Sequence, residues 1–126
     1  MRLRPDRARS ALGSIDPSRR RAGWPVGLRD GALVALVAAG LSAVEISRLQ
    51  ASAIHMDGGR VAIDLTRDDI ELTMRLPQYL GSRLLAWLRE SRLWAESTPV
   101  LTGPRGPLTP TGIHNVLSRY RTRSRR

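Results

Sequence analysis

The chain has 126 residues, enough for one domain. It carries 21 basic residues, every one an arginine, against 11 acids, for a net charge of +10. Cysteine is absent, which excludes disulfides, thiolate zinc sites and a cysteine nucleophile; phenylalanine is absent too, which argues against an aromatic platform for single-stranded RNA.

The charge is unevenly spread. Residues 1–27 hold seven Arg and two Asp, and residues 119–126 hold five Arg and no acid. Residues 28–118 hold nine Arg and nine acids, so the middle of the chain is neutral. Arginine-rich ends attract polyanions, above all nucleic acid. The plainer reading is a pair of solubilising tails. The longest apolar run, Gly31 to Val44, is too short to span a bilayer. Ser18-Arg19-Arg20-Arg21 ahead of it faintly resembles a twin-arginine export signal, but Arg29-Asp30 abuts the apolar segment and the cytoplasm is the default.

In chain order, Ala8 to Ile15 reads as a short helix with Ala11, Leu12 and Ile15 on one side. Asp16-Pro17-Ser18 breaks it, and Arg19 to Val26, with Gly23 and Pro25, reads as a linker. Leu28 to Ala39 is a helix with Leu33, Val34, Leu36 and Val37 on a broad apolar face, and Gly40 terminates it. Ser42-Ala43-Val44-Glu45 is a capping box that opens the next helix. Asp57-Gly58-Gly59 is a turn. Val61, Ile63 and Leu65 alternate, as do Ile70, Leu72, Met74 and Leu76, which predicts an antiparallel hairpin with one buried face. Pro77 ends it. Gln78 to Trp94 is a third helix with Leu80, Leu84, Trp87 and Leu88 on one face. Glu96 to Pro110 is a Pro/Gly-rich loop with Val100-Leu101 as a candidate short strand, and Thr109-Pro110 opens a last helix with a stripe of Ile113, Val116, Leu117 and Tyr120.

These residues resemble the catalytic domain of tyrosine recombinases, the phage-integrase family. The matching stretches are Gly27 to Leu33, Ala39 to Ile46, the Arg60–Pro77 hairpin and Gly106 to Ile113, within a resemblance that covers roughly residues 8–121. It implies an α+β fold: a mostly helical small domain with one antiparallel β-hairpin, like the N-terminal part of that catalytic domain. The organisation expected is a basic lead with a short helix and linker (1–27), a partial recombinase-like domain (28–121) and an arginine-rich tail (122–126).

The departures from the family decide the expected chemistry. The family's first catalytic arginine falls at Ser42, while Glu45 matches the acidic position three residues on. The family's hairpin lysine has Arg67 as its nearest counterpart, and a guanidinium does not readily release a proton. The family's later His-x-x-Arg motif and nucleophilic tyrosine are not found before Arg126. The resemblance therefore implies a truncated, catalytically inactive form, because strand exchange needs both clustered cations at the scissile phosphate and a nucleophile.

No catalytic residue, cofactor or metal ligand is expected. DNA contacts, mostly to the phosphate backbone, are expected from Arg67, Arg105, Arg119, Arg121, Arg123, Arg125 and Arg126. Ser42 is expected to serve as a helix cap, and Tyr120, on the apolar stripe, to point into the core. His55 and His114 show no partner in the sequence. Trp24, Trp87 and Trp94 have the chemistry to stack on bases, though helical spacing puts Trp87 and Trp94 in the core. Asp68-Asp69 alone is a weak metal signal. Part of the stripe of Ile113, Val116, Leu117 and Tyr120, or the face it meets, is expected to lie uncovered, favouring a homodimer or an intact recombinase as partner. The competing reading is an arginine-rich RNA- or ribosome-associated protein unrelated to recombinases.

Overall fold

The computed structural model describes residues 4–21, 23–91, 99–103 and 106–123. Helix α1 (Pro5–Ser14) starts with proline at its first position, where the missing N–H costs nothing. Its Ala8, Ala11 and Leu12, followed by Ile15, are buried, so the basic lead packs onto the main core instead of trailing from it.

Helix α2 (Val26–Ala38) begins two residues earlier than the spacing predicts. It is buried on nearly every face: Ala32, Leu33, Val34, Ala35 and Leu36 are all fully enclosed. A helix that is apolar all round belongs at the centre of a fold, and α1, a later helix α4 (Gln78–Ser91) and a last helix α5 (Pro110–Arg123) all pack around it. Its C-terminus closes as a Schellman motif. Leu41 N–H donates to the Leu36 carbonyl and Gly40 N–H to that of Val37, with Gly40 at φ +104°.

Helix α3 (Ala43–Arg48) has the expected capping box, with Glu45 N–H donating to Ser42 Oγ (3.1 Å) and Ser42 N–H to Glu45 Oε1 (2.9 Å). The expected hairpin is there, but a third strand joins it. Strands β1 (Ile54–Asp57), β2 (Arg60–Arg67) and β3 (Ile70–Arg75) form an antiparallel sheet in that order. Both connections are two-residue turns with positive φ at each central residue, Gly58-Gly59 and Asp68-Asp69. Turns of this hand match the twist of the strands they join. Val61 and Ile63 are buried, and Gly81 brings α4 onto Val61: a Cβ there would sit 3.1 Å from Val61 Cγ2.

Val100 and Leu101, read from the sequence as a strand, are instead buried loop residues that tie elements together. Val100 N–H donates to the Leu49 carbonyl, and the fully buried Trp87 donates from Nε1 to the Val100 carbonyl (2.7 Å). The short strands lie just beyond, β4 (Thr102–Gly103) with β5 (Gly106–Pro107). Thr109 Oγ1 then accepts from Gly112 N–H (3.1 Å) and starts α5.

The expectation that the α5 stripe lies uncovered is overturned. Ile113, Val116, Leu117 and Tyr120 are all buried, because α5 packs on α3, α1 and α2 of its own chain. The stripe therefore gives no ground for dimerisation.

Candidate anion site at the junction of the two basic ends

The site begins with a close backbone approach. The Asp16–Arg19 turn, closed by Arg19 N–H on the Asp16 carbonyl (3.1 Å), lies directly against the first turn of α2. Gly27 N–H donates to the Arg19 carbonyl (3.0 Å), and a Cβ on Gly27 would sit 1.9 Å from the Asp16 carbonyl oxygen. Only glycine permits this contact. Arg21 and Trp24 then exchange backbone hydrogen bonds at 2.9 Å, which fixes the linker in place.

This packing brings Arg19 and Arg21 to a cleft of about 590 Å³ that also has Arg29, Asp30, Leu108 and Arg119 in its walls. Arg19 and Arg21 from the first basic end and Arg119 from the second, far apart in sequence, meet here. Arg29 and Asp30 are 6% and 2% exposed, the charged pair within the core. Arg29 donates to Asp30 Oδ1 from Nε (3.0 Å) and Nη2 (2.8 Å). The Tyr120 hydroxyl donates to Asp30 Oδ2. Burial, then the Asp30 hydrogen bond and charge, push the Tyr120 hydroxyl well above the ordinary tyrosine range, so it stays protonated. Both Asp30 oxygens are thus engaged within the fold. Among the described residues, no hydrogen bond or ion pair engages Arg29 Nη1 or the guanidinium groups of Arg19, Arg21 and Arg119.

The positions singled out by the resemblance lie elsewhere. Ser42 caps α3. Arg67, expected as a phosphate contact, ends β2 and reaches back across the fold. It donates to Glu45 Oε2 from Nε (2.7 Å), and from Nη2 to Glu45 Oε1 and the Gly40 carbonyl (both 2.9 Å). The Arg67 hydrogen bond holds the Glu45 carboxyl below its usual range. This is a bidentate clamp joining the hairpin to α3. Of the other expected DNA contacts, Arg119 lines the cleft. Arg105, Arg125 and Arg126 lie outside the described residues, as do the side chains of Arg121 and Arg123.

His55, which has no visible partner in the sequence, lies in β1 and pairs with Asp64 on β2 (2.9 Å). Thr73 on β3 donates to the same Asp64 oxygen (2.8 Å). His114 is exposed on α5. Trp24 packs edge-on against Trp87, with ring centroids 6.1 Å apart, and Trp94 lies outside the described residues. Asp68 and Asp69 form an exposed turn, and no group of three or more potential metal ligands occurs among the described residues.

Sequence reasoning missed Arg19, Arg21, Arg29 and Asp30 as site residues. The available signal was Arg29-Asp30 at the head of an otherwise apolar helix, since charges are rarely buried unless paired. No family model matches the chain, and neither does any curated protein or solved structure.

Proposed function

We propose that the chain is a non-catalytic, DNA-associated protein related to the tyrosine recombinases, which holds duplex DNA mainly through its phosphates. The observation that carries DNA association is the meeting of Arg19, Arg21, Arg29 and Arg119 at one cleft, three of them with guanidinium groups that no described residue pairs. Several arginines elsewhere are spent on the fold: Arg67 on Glu45, Arg20 on Glu90, and Arg83 on the Leu12 carbonyl. A concentration of unspent guanidinium groups suits the closely spaced charges of a nucleic-acid backbone.

The same geometry favours a non-catalytic role. At the family's first-arginine position, the Ser42 hydroxyl accepts the backbone N–H of Glu45. Arg67 has Nε and Nη2 engaged within the fold, on Glu45 and the Gly40 carbonyl. Tyr120 is buried with its hydroxyl held protonated, the reverse of an activated nucleophile. In this role the chain serves a mobile element or modulates an intact recombinase by occupying DNA.

The test is fluorescence anisotropy of a labelled duplex across salt concentrations. If about five phosphates are neutralised, log K falls against log salt with a slope of roughly −4.5. Changing Arg121, Arg123, Arg125 and Arg126 together to Gln makes the slope shallower. This is a cleaner change than deleting residues 119–126, which removes the core residue Tyr120. An unchanged slope would reduce the tail to a solubiliser. Tighter binding to structured RNA than to duplex would favour the RNA-associated reading.

A further inference from the structure

We propose that the cleft between the linker, α2 and α5 is a discrete site for a phosphate group, with Arg29 as its buried anchor and Arg19, Arg21 and Arg119 as its exposed cations. The site needs neither kinship with recombinases nor a duplex. It rests on the cleft's own geometry.

Three features carry it. The first is the accounting of charge. Asp30 is the one acid among the described residues of the cleft wall, and Arg29 balances it, which leaves the three charges of Arg19, Arg21 and Arg119 facing no described acid there. Like charges gathered at a concave surface repel, and a bound anion relieves that repulsion. The second is Arg29. It is 6% exposed, and Nε and Nη2 are held on Asp30 while no described residue hydrogen-bonds Nη1. The Tyr120 hydroxyl holds Asp30 from the other side, so the guanidinium is oriented before any ligand arrives. Pre-organised donors lose less freedom on binding. The third is the ends of two helices. Val26, which begins α2, and Gly112, in the first turn of α5, both line the cleft. Helix N-termini add partial positive charge to the guanidinium groups.

The volume of about 590 Å³ exceeds what one phosphate needs and lies within the range of ligand-sized pockets. Apolar Val26, Pro107, Leu108 and Val116 share the wall with the arginines. This combination fits a phosphate ester that carries an organic body. The ester comes either from a free nucleotide or from a nucleic-acid strand.

The experiment is calorimetric titration of the full chain at physiological salt with inorganic pyrophosphate, with adenosine monophosphate and with a short duplex. Wild type is expected to bind pyrophosphate saturably, one per chain. Arg19→Gln with Arg119→Gln, both exposed positions, should weaken that binding at least tenfold while leaving the thermal transition in place. Arg29→Lys keeps a charge but loses the fork, and should weaken it as well. The four-fold Arg→Gln change at positions 121, 123, 125 and 126 should leave pyrophosphate affinity within about twofold. Adenosine monophosphate binding more tightly than pyrophosphate identifies a free nucleotide as the source. A duplex that competes with pyrophosphate, with adenosine monophosphate binding no better, identifies a strand. Absence of saturable pyrophosphate binding overturns the site, even if the duplex binds with a steep salt slope and the DNA-associated reading survives. Equal affinity in the Arg19→Gln/Arg119→Gln variant also overturns it. Pyrophosphate binding without duplex binding keeps the site and defeats the DNA reading.

Discussion

Gly27→Ala tests the packing that builds the cleft. The added Cβ would lie 1.9 Å from the Asp16 carbonyl oxygen, 3.0 Å from the Asp16 carbonyl carbon and 3.2 Å from the Arg19 nitrogen. Comfortable contact between heavy atoms begins near 3.5 Å, so the turn must retreat by about 1.5 Å. All three atoms are backbone, and no rotamer change absorbs the overlap. Overpacking of this kind costs about 1–3 kcal/mol. The retreat also breaks the Gly27 N–H to Arg19 carbonyl bond, worth about 1 kcal/mol. Removing a helical glycine returns at most about 1 kcal/mol. The net expectation is a loss of about 1–3 kcal/mol. Gly13→Ala is the matched control. It also lies in a helix, with nothing within 4 Å of its added Cβ, and should gain about 0.5–1 kcal/mol. Urea unfolding followed by tryptophan fluorescence measures both, since Trp24 and Trp87 sit in edge-on contact inside the fold. The Gly27 variant should also bind pyrophosphate more weakly, because Arg19 moves with the turn. If Gly27→Ala changes stability by less than about 0.5 kcal/mol, the size of an ordinary surface effect, the reasoning about the turn is wrong.

Further outcomes follow from the hydrogen bonds. Ser42→Ala should cost about 1 kcal/mol by removing the cap of α3, measured by the same unfolding curves. The Glu45 carboxyl lies below its reference value of 4.5, so its contribution to stability is complete above pH 4.5 and is lost as pH falls through the folded-state value; Glu45→Gln should flatten that acid limb of the stability curve. His55 is shifted the other way, above 6.5, first by the Asp64 hydrogen bond. Its contribution is full below pH 6.5 and is lost as pH rises through the folded value, and Asp64→Asn should bring its NMR titration midpoint down. A suicide DNA substrate should trap no covalent adduct with the natural protein or with Ser42→Arg; an adduct lost on Tyr120→Phe would overturn the non-catalytic reading.

Local signals were well written in the sequence. The Ser42–Glu45 capping box, the Gly40 stop, the alternation of Val61, Ile63 and Leu65, and Pro110 at the head of α5 each depend on neighbours within a few residues. Strand β1 was hidden because Ile54-His55-Met56-Asp57, although it alternates, is only four residues long, is exposed beyond Ile54, and pairs through His55–Asp64, a contact across strands. Its legible trace was the Gly58-Gly59 turn, which is itself a hairpin signal. The uncovered stripe was wrongly expected because periodicity marks an apolar face without saying what covers it. The site was least legible. Asp30 meets Tyr120 across 90 positions, and Arg67 meets Glu45 across 22. Such pairings belong to the folded chain and leave no local pattern.

On the reading proposed above, Arg19 and Arg21 of one basic end and Arg119 of the other belong to one nucleic-acid-binding face. Titrating isotope-labelled protein with a short duplex and mapping amide shifts by NMR tests it most directly. Shifts should concentrate at residues 19–29, 106–119 and the arginine tail, with the outer face of the sheet around Asp64 and Thr73 unmoved. Shifts centred instead on the sheet or on the Ser42–Arg67 region, with residues 19–29 silent, would contradict it.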